Sequence, residues 1–174
     1  MEELELVEVT IKDLHVLREL SIHTFSEKFS EGNNKQDLYS YLESAFSKKQ
    51  LSKELINKNS HFYFVKLGQL IVGYLKLNIG DAQIELKTEN SAELERIYVL
   101  KSYQRKGIGH FLINFAIEWA VEYKLDFIWL GVWEKNDSAI RFYERHGFTA
   151  FGVHHFMVGT DKQTDVMMKL KLRE

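Results

Sequence analysis

Gln104-Arg105-Lys106-Gly107-Ile108-Gly109 is a basic turn with two glycines, and its neighbours on either side decide the fold. Ahead of it, Glu93-Leu94-Glu95-Arg96-Ile97-Tyr98-Val99-Leu100 is rich in strand formers. Behind it, Ile108, Phe111, Leu112, Phe115, Ala116, Trp119, Ala120 and Tyr123 recur at helical spacing. That period predicts one apolar face on a helix of about four turns. A strand, a glycine turn and a helix N-terminus in succession aim backbone N–H groups and the positive end of the helix dipole at one point. An anionic phosphate fits there. The spacing is not Walker A, and Gly107-Ile108-Gly109-His110-Phe111-Leu112 departs from the dinucleotide fingerprint at its last residue. Gln/Arg-x-x-Gly-x-Gly/Ala is the pattern that remains, although an ordinary surface turn would also use glycine.

Working outward, residues 5–9 read as a first strand, and Thr10 with Asp13 forms a capping-box pattern. Leu14, Leu17, Leu20 and Phe25 then mark a first helix. Leu38, Tyr41, Leu42, Ala45 and Phe46 mark a second, and Leu51, Leu55 and Ile56 a short third. Residues 61–67 and 70–77 flank Gly68-Gln69 as a hairpin, and 80–91 reads as a polar loop. After the long helix, 127–132 is the apolar run of a strand buried on both faces. Asn136 or Asp137 caps a helix ending before Gly147, and 149–158 with 166–172 reads as an antiparallel pair. The order predicts a mixed, three-layer α/β/α fold in a single domain over residues 1–174.

Composition narrows the function. With no cysteine, disulfides, thiolate chemistry and cysteine-rich metal sites are excluded. The acidic N-terminus lacks a leader's apolar run, and no stretch has the roughly eighteen apolar residues of a membrane span, so a cytoplasmic protein without membrane contact is expected. Net charge is −2, with a small acidic excess in the first hundred residues and a small basic one after them, which does not suit nucleic acid. His154-His155 are strand neighbours that face opposite ways, so no metal site is expected there.

Three blocks together resemble the GNAT superfamily of N-acetyltransferases. They are Leu94 to Val99 with Gln104 to Gly109, then Trp129-Leu130-Gly131-Val132-Trp133-Glu134-Lys135-Asn136, then Ala139-Ile140-Arg141-Phe142-Tyr143-Glu144-Arg145-His146-Gly147-Phe148. Residues 39–46, the Trp129 block and Gln163-Thr164-Asp165 are most similar to the PaiA-type bacterial spermine/spermidine acetyltransferases. The resemblance implies a GNAT acyl-CoA N-acyltransferase fold, with a central mixed, mostly antiparallel sheet that splays at the cofactor site. It also implies acetyl-CoA as cosubstrate, no metal, a polyamine acceptor, and a monomer or homodimer.

By the same resemblance, Ile97, Tyr98 and Val99 lie along the pantetheine, with backbone groups of Ile97 and Val99 offered to it. Gln104, Arg105, Lys106, Gly107, Ile108 and Gly109 hold the pyrophosphate. Asn136 bonds the cofactor as well as capping its helix. Tyr143 is the implied proton donor to the sulfur; read by itself, beside Phe142 on an apolar helix, it is a core aromatic, and the motif context reverses that reading. Glu95 is the candidate general base. Alternation puts it on one face with Ile97 and Val99, against Leu94, Arg96 and Tyr98, where partial desolvation raises its pKa. The alternatives are a carboxylate paired with a lysine or arginine, and Glu93 in its place. Glu27, Glu31, Asp37 and Asp81 are candidates to attract a polycation.

Overall fold

The computed structural model describes residues 2–158 and 160–174. One seven-stranded sheet runs through it in the order β1-β2-β3-β4-β5-β7-β6. The strands are β1 (Leu4–Glu8), β2 (Ser60–Leu67), β3 (Leu70–Ile79), β4 (Ser91–Val99), β5 (Phe127–Trp133), β6 (Thr149–Val158) and β7 (Asp161–Lys171). Every neighbouring pair is antiparallel except β4 and β5. The parallel pair follows from the long helix α4 (Ile108–Glu122), which carries the chain back across the sheet between the two strands.

Helices α1 (Leu14–Phe29), α2 (Lys35–Ala45) and α3 (Lys48–Ile56) cover one face, packing Leu17, Phe25, Phe46 and Leu51 on Phe62, Phe64 and Tyr74. On the other face α4 and α5 (Asp137–Arg145) bury Leu112, Ala116 and Tyr143 against Leu75, Leu94, Ile128 and Leu130. The expected three layers are therefore present. Asp13 accepts a hydrogen bond from the Thr10 N–H at 2.9 Å, but this cap opens a single 3₁₀ turn, Ile11–Asp13, before α1. On α4 the buried stripe includes Ile113 at 0% exposure and leaves Tyr123 at 46%. Tyr123 lies beyond the last turn and stacks on Trp119, centroids 4.1 Å apart. The 80–91 segment is pinned by Gln83, whose side-chain oxygen accepts from Ser91 Oγ at 2.8 Å and Trp129 Nε1 at 2.7 Å.

Two irregularities position the site. Lys76 pairs with Arg96 but Leu77 pairs with Leu94, so Glu95 is an extra residue in a β-bulge. And β4 pairs with β5 only through Ser91, Ala92 and Glu93, opposite Phe127, Ile128 and Trp129. Beyond that point the strands part.

Close approach of β3 to β4 depends on Gly73, where an added Cβ would stand 2.4 Å from the Tyr98 carbonyl oxygen. Backbone cannot swing aside as a side chain does, so Gly73→Ala is expected to cost about 2 kcal/mol or more and lower Tm by roughly 4–8 °C. Thermal unfolding by circular dichroism measures it; an unchanged Tm would refute the contact.

Candidate active site

Where β4 and β5 part, a groove of about 340 Å³ opens, lined by Ile97, Tyr98, Val99, Gln104, Asn136 and Tyr143 among others. Six of the expected cofactor residues thus come together. The groove leads to the glycine turn, where Arg105 at φ +61° and Gly107 at φ +82° are both left-handed. Glycine is favoured at Gly107 for this reason. Arg105, Lys106 and Gly107 are exposed, and no side chain caps α4, so its first N–H groups are unspent. Gln104 folds back to donate to the Val99 carbonyl at 3.0 Å, fixing the turn to the end of β4. Ile108 departs from the expectation in one respect: its side chain is 3% exposed and belongs to the core, leaving only its backbone for a ligand. Asn136 caps α5, accepting from the Ala139 N–H at 3.2 Å, and also faces the groove. An unpaired strand edge running into an uncapped helix start suits a long ligand that ends in phosphates.

A second cavity of about 430 Å³ meets the groove at Lys28, Ile97, Tyr98, Ala139 and Tyr143. Its walls include Phe25, Phe29, Tyr41, Phe46, Trp133 and Phe156, and Glu54, Glu95, Arg96, His154 and Asp165 supply charge. Tyr143, at 8% exposure, stands where the two spaces join, and burial raises its hydroxyl pKa.

The bulge overturns the expected position of Glu95. It does not share a face with Ile97 and Val99, which pack toward α4. It lies instead on the α1–α3 side, beside Arg96. Lys76 Nζ bonds both Glu95 oxygens, at 2.9 and 3.0 Å, and Arg96 Nε approaches Glu95 Oε2 at 2.9 Å. Glu54 closes a four-charge cluster by pairing with Lys76 and, at 2.9 Å, with Arg96. Burial pushes the Glu95 carboxyl up, but Arg96 and Lys76 outweigh it and hold the group below the ordinary carboxylate range. The expected rise is therefore corrected, and the paired carboxylate is what the structure shows.

The raised carboxyls are elsewhere. Glu93, 3% exposed, accepts from Asn78 Nδ2 at 2.8 Å and the Ile84 N–H at 3.2 Å. Burial, then the neighbouring Glu95, pushes it up to about 7. Asp165 is pushed up to about 6 by burial, against the opposing charges of His154 and Lys28. None of the four acids proposed to attract a polycation lines the larger cavity. Glu27 accepts from the Lys101 N–H at 2.7 Å and so holds the strand–helix connection. Asp37 accepts from Thr160, Asp81 accepts from Asn59 Nδ2, and Glu31 is exposed after α1. His154 pairs with Glu85 while His155 reaches Thr164 Oγ1 at 3.0 Å, as neighbours on opposite strand faces do. Glu54 gave no signal in the sequence; Asp165 lay in a stretch singled out only for resemblance.

The chain belongs to the GNAT acetyltransferases: it matches the family described as Acetyltransferase (GNAT) family over residues 16–148. It is an N-acetyltransferase of the acyltransferase class. An uncharacterized N-acetyltransferase in the pepI 3′ region of Lactobacillus delbrueckii subsp. lactis is 40% identical over 168 residues, 97% of each chain. Streptothricin acetyltransferase A of Bacillus subtilis is 32% identical over 124 residues, 70% of this chain and 67% of that one. Spermidine N(1)-acetyltransferase of Thermoplasma acidophilum is 24% identical over 149 residues, 83% of this chain and 88% of that one. The crystal structure of PaiA N-acetyltransferase from T. acidophilum in complex with coenzyme A shares the fold, with a TM-score of 0.77 at 22% identity over 97% and 99% of the two chains.

Glu93 supplies a stability test. Its folded pKa of about 7 lies above the unfolded value, so ionisation opposes folding. The cost is absent below about pH 4, grows as pH rises, and levels off once pH passes the folded pKa. Glu93→Gln keeps an acceptor for Asn78 and Ile84 and is expected to stabilise by roughly 1–3 kcal/mol at pH 8, with little change at pH 4. Urea unfolding at the two pH values checks the sign; a variant less stable than the parent at pH 8 would contradict it.

Proposed function

We propose that this N-acetyltransferase moves the acetyl group of acetyl-CoA to a primary amine of a polyamine, spermidine or spermine. One observation carries the reading: an aromatic cavity bearing carboxylates opens onto the cofactor groove at Tyr143. Aromatic faces attract ammonium groups, and a partly desolvated carboxylate binds one strongly. The relative named for spermidine supports the choice.

Ile97 and Val99 offer the free edge of β4 to the pantetheine arm, with Tyr98 between them. The 104–109 turn and the start of α4 hold the pyrophosphate, with the Arg105 or Lys106 side chain in reach. Asn136 contributes from the far wall. Acetyl-CoA supplies the activated acyl group, and the chain's own residues orient it and manage protons. Tyr143 keeps its hydrogen through neutral pH, as an ordinary phenol does, and burial raises its pKa further. A phenol is a weaker acid than a thiol, so the hydroxyl acts chiefly by donating a hydrogen bond to charge developing on the sulfur.

The base assignment changes. An amine with pKa near 10.4 is neutral in roughly one molecule in a few thousand at pH 7, so its proton needs an acceptor. Two cations already occupy Glu95, and its lowered pKa makes it a poor one. Its suitable role is to hold Lys76 and Arg96 in place. A second reading, a larger cationic amine of the streptothricin kind, is favoured by the 32% relative.

The test is release of free thiol from acetyl-CoA with spermidine, spermine, a streptothricin, an aminoglycoside and a lysine-ended peptide. Turnover confined to the two polyamines is expected. Selective turnover of streptothricin would establish the second reading, and bound acetyl-CoA with no turnover would leave a cofactor-sensing protein. Tyr143→Phe is expected to lower kcat by about 10²–10³-fold. Calorimetry should find its acetyl-CoA affinity unchanged within about threefold, since a lost phenol hydroxyl removes a contact made mainly in the transition state.

A further inference from the structure

Asp165 is the carboxylate in the larger cavity that makes neither a hydrogen bond nor an ion pair with the described residues. The other acids at the strand parting are committed. Glu54 and Glu95 share Lys76 and Arg96, and Glu93 is held by Asn78 and the Ile84 N–H. Glu93 also lines only a side space of about 60 Å³, whereas Asp165 lines both that space and the larger cavity.

Its position is built by three strands. Asp165 stands on β7 opposite Trp133 of β5 and opposite His154 of β6. Its side chain lies over Gly131, where an added Cβ would be 3.0 Å from Asp165 Oδ2. Gly131 is two residues past the last β5 residue paired with β4. The carboxylate therefore occupies the opening, in a cavity that Tyr143 also lines. Asp165 is half-buried, and a partly desolvated carboxylate without a partner is less costly once a ligand supplies one.

We propose that Asp165 receives the ammonium group of the acceptor and takes its first proton, freeing the nitrogen lone pair for the thioester carbonyl. This rests on the acceptor being an amine. The nitrogen–carbon bond forms as the carbon–sulfur bond breaks. Of the two protons leaving nitrogen, one passes through Asp165 to solvent and the other is matched by the proton gained by the departing thiol. Burial raises the Asp165 carboxyl, which narrows the gap between its pKa and that of the amine. The groups facing Asp165 are His154 from β6, Lys28 from α1, Tyr41 from α2, and Glu93 and Glu95 from β4.

Steady-state kinetics of Asp165→Asn across pH 5–9 test this, using whichever amine the parent turns over. kcat/KM for the amine is expected to fall about 100-fold or more at pH 7, within the range for loss of a general base. The parent is expected to show an acid limb near pH 6, and that limb should be absent from the variant. Acetyl-CoA affinity by calorimetry should stay within about threefold, which shows an intact fold. Lys28→Met should keep the limb and move it upward, because it removes a charge that favours the ionised carboxylate. Asp165→Asn retaining kcat/KM within threefold would overturn the proposal, as would an acid limb that is lost in His154→Asn or Glu93→Gln. Turnover only of an amine that is not a polyamine would sink the polyamine reading alone, and Asp165→Asn is then decided with that amine. A parent that turns over no amine would sink both.

Discussion

The parting of β4 from β5 after three paired residues is the constraint on which the site depends. Strand backbones normally spend their hydrogen bonds on each other, and buried groups that do not are rare. Here the free edges lie against the groove and cavity on either side of Tyr143. They form a ready surface for an extended ligand, in the manner of an added strand. The local sequence supports the separation. Glu95 is the bulged residue of β4, and bulges bend and twist the strand that carries them. On β5, Gly131 has no side chain, and Asp165 from β7 takes up the space.

The buried charges have to be read against that opening. Glu54, Lys76, Glu95 and Arg96 have side chains 4–13% exposed, a costly arrangement that a hydrophobic replacement often matches for stability. What the cluster does is couple α3 to the central strands and neutralise itself. Two carboxylates and two cations cancel, which weakens the pull of Glu54 and Glu95 on a cationic acceptor even though Glu54 Oε2 has no hydrogen-bond partner among the described residues. The uncommitted carboxylate lies across the cavity on β7. Chemistry that sequence reasoning concentrated on β4 is thereby divided between two strands that never pair with each other.

Much of the architecture was legible because its signals are local. The apolar period after Gly107 placed α4, the Asn136 cap placed α5, and Gly68-Gln69 placed the β2–β3 turn. The turn that the groove leads to was legible for the same reason: a glycine turn carries its backbone geometry with it. The face of Glu95 was not. Alternation assumes a regular strand, and one extra residue reverses every assignment beyond it. Nor were the acids of the larger cavity legible. Glu54 sits on a mostly polar helix, and Asp165 is about seventy residues in sequence from the β4 carboxylates it faces.

The amino-acid sequence by itself determined the order of elements, the glycine turn at the start of α4 and membership of an acetyl-transferring family, because each is written in short-range spacing. Tertiary structure decided which carboxylate is free and which is bound. A side chain's protonation and partners depend on the charges and solvent that distant segments bring to it. For Glu95 those segments are α3 and β3, and for Asp165 they are α1 and β6.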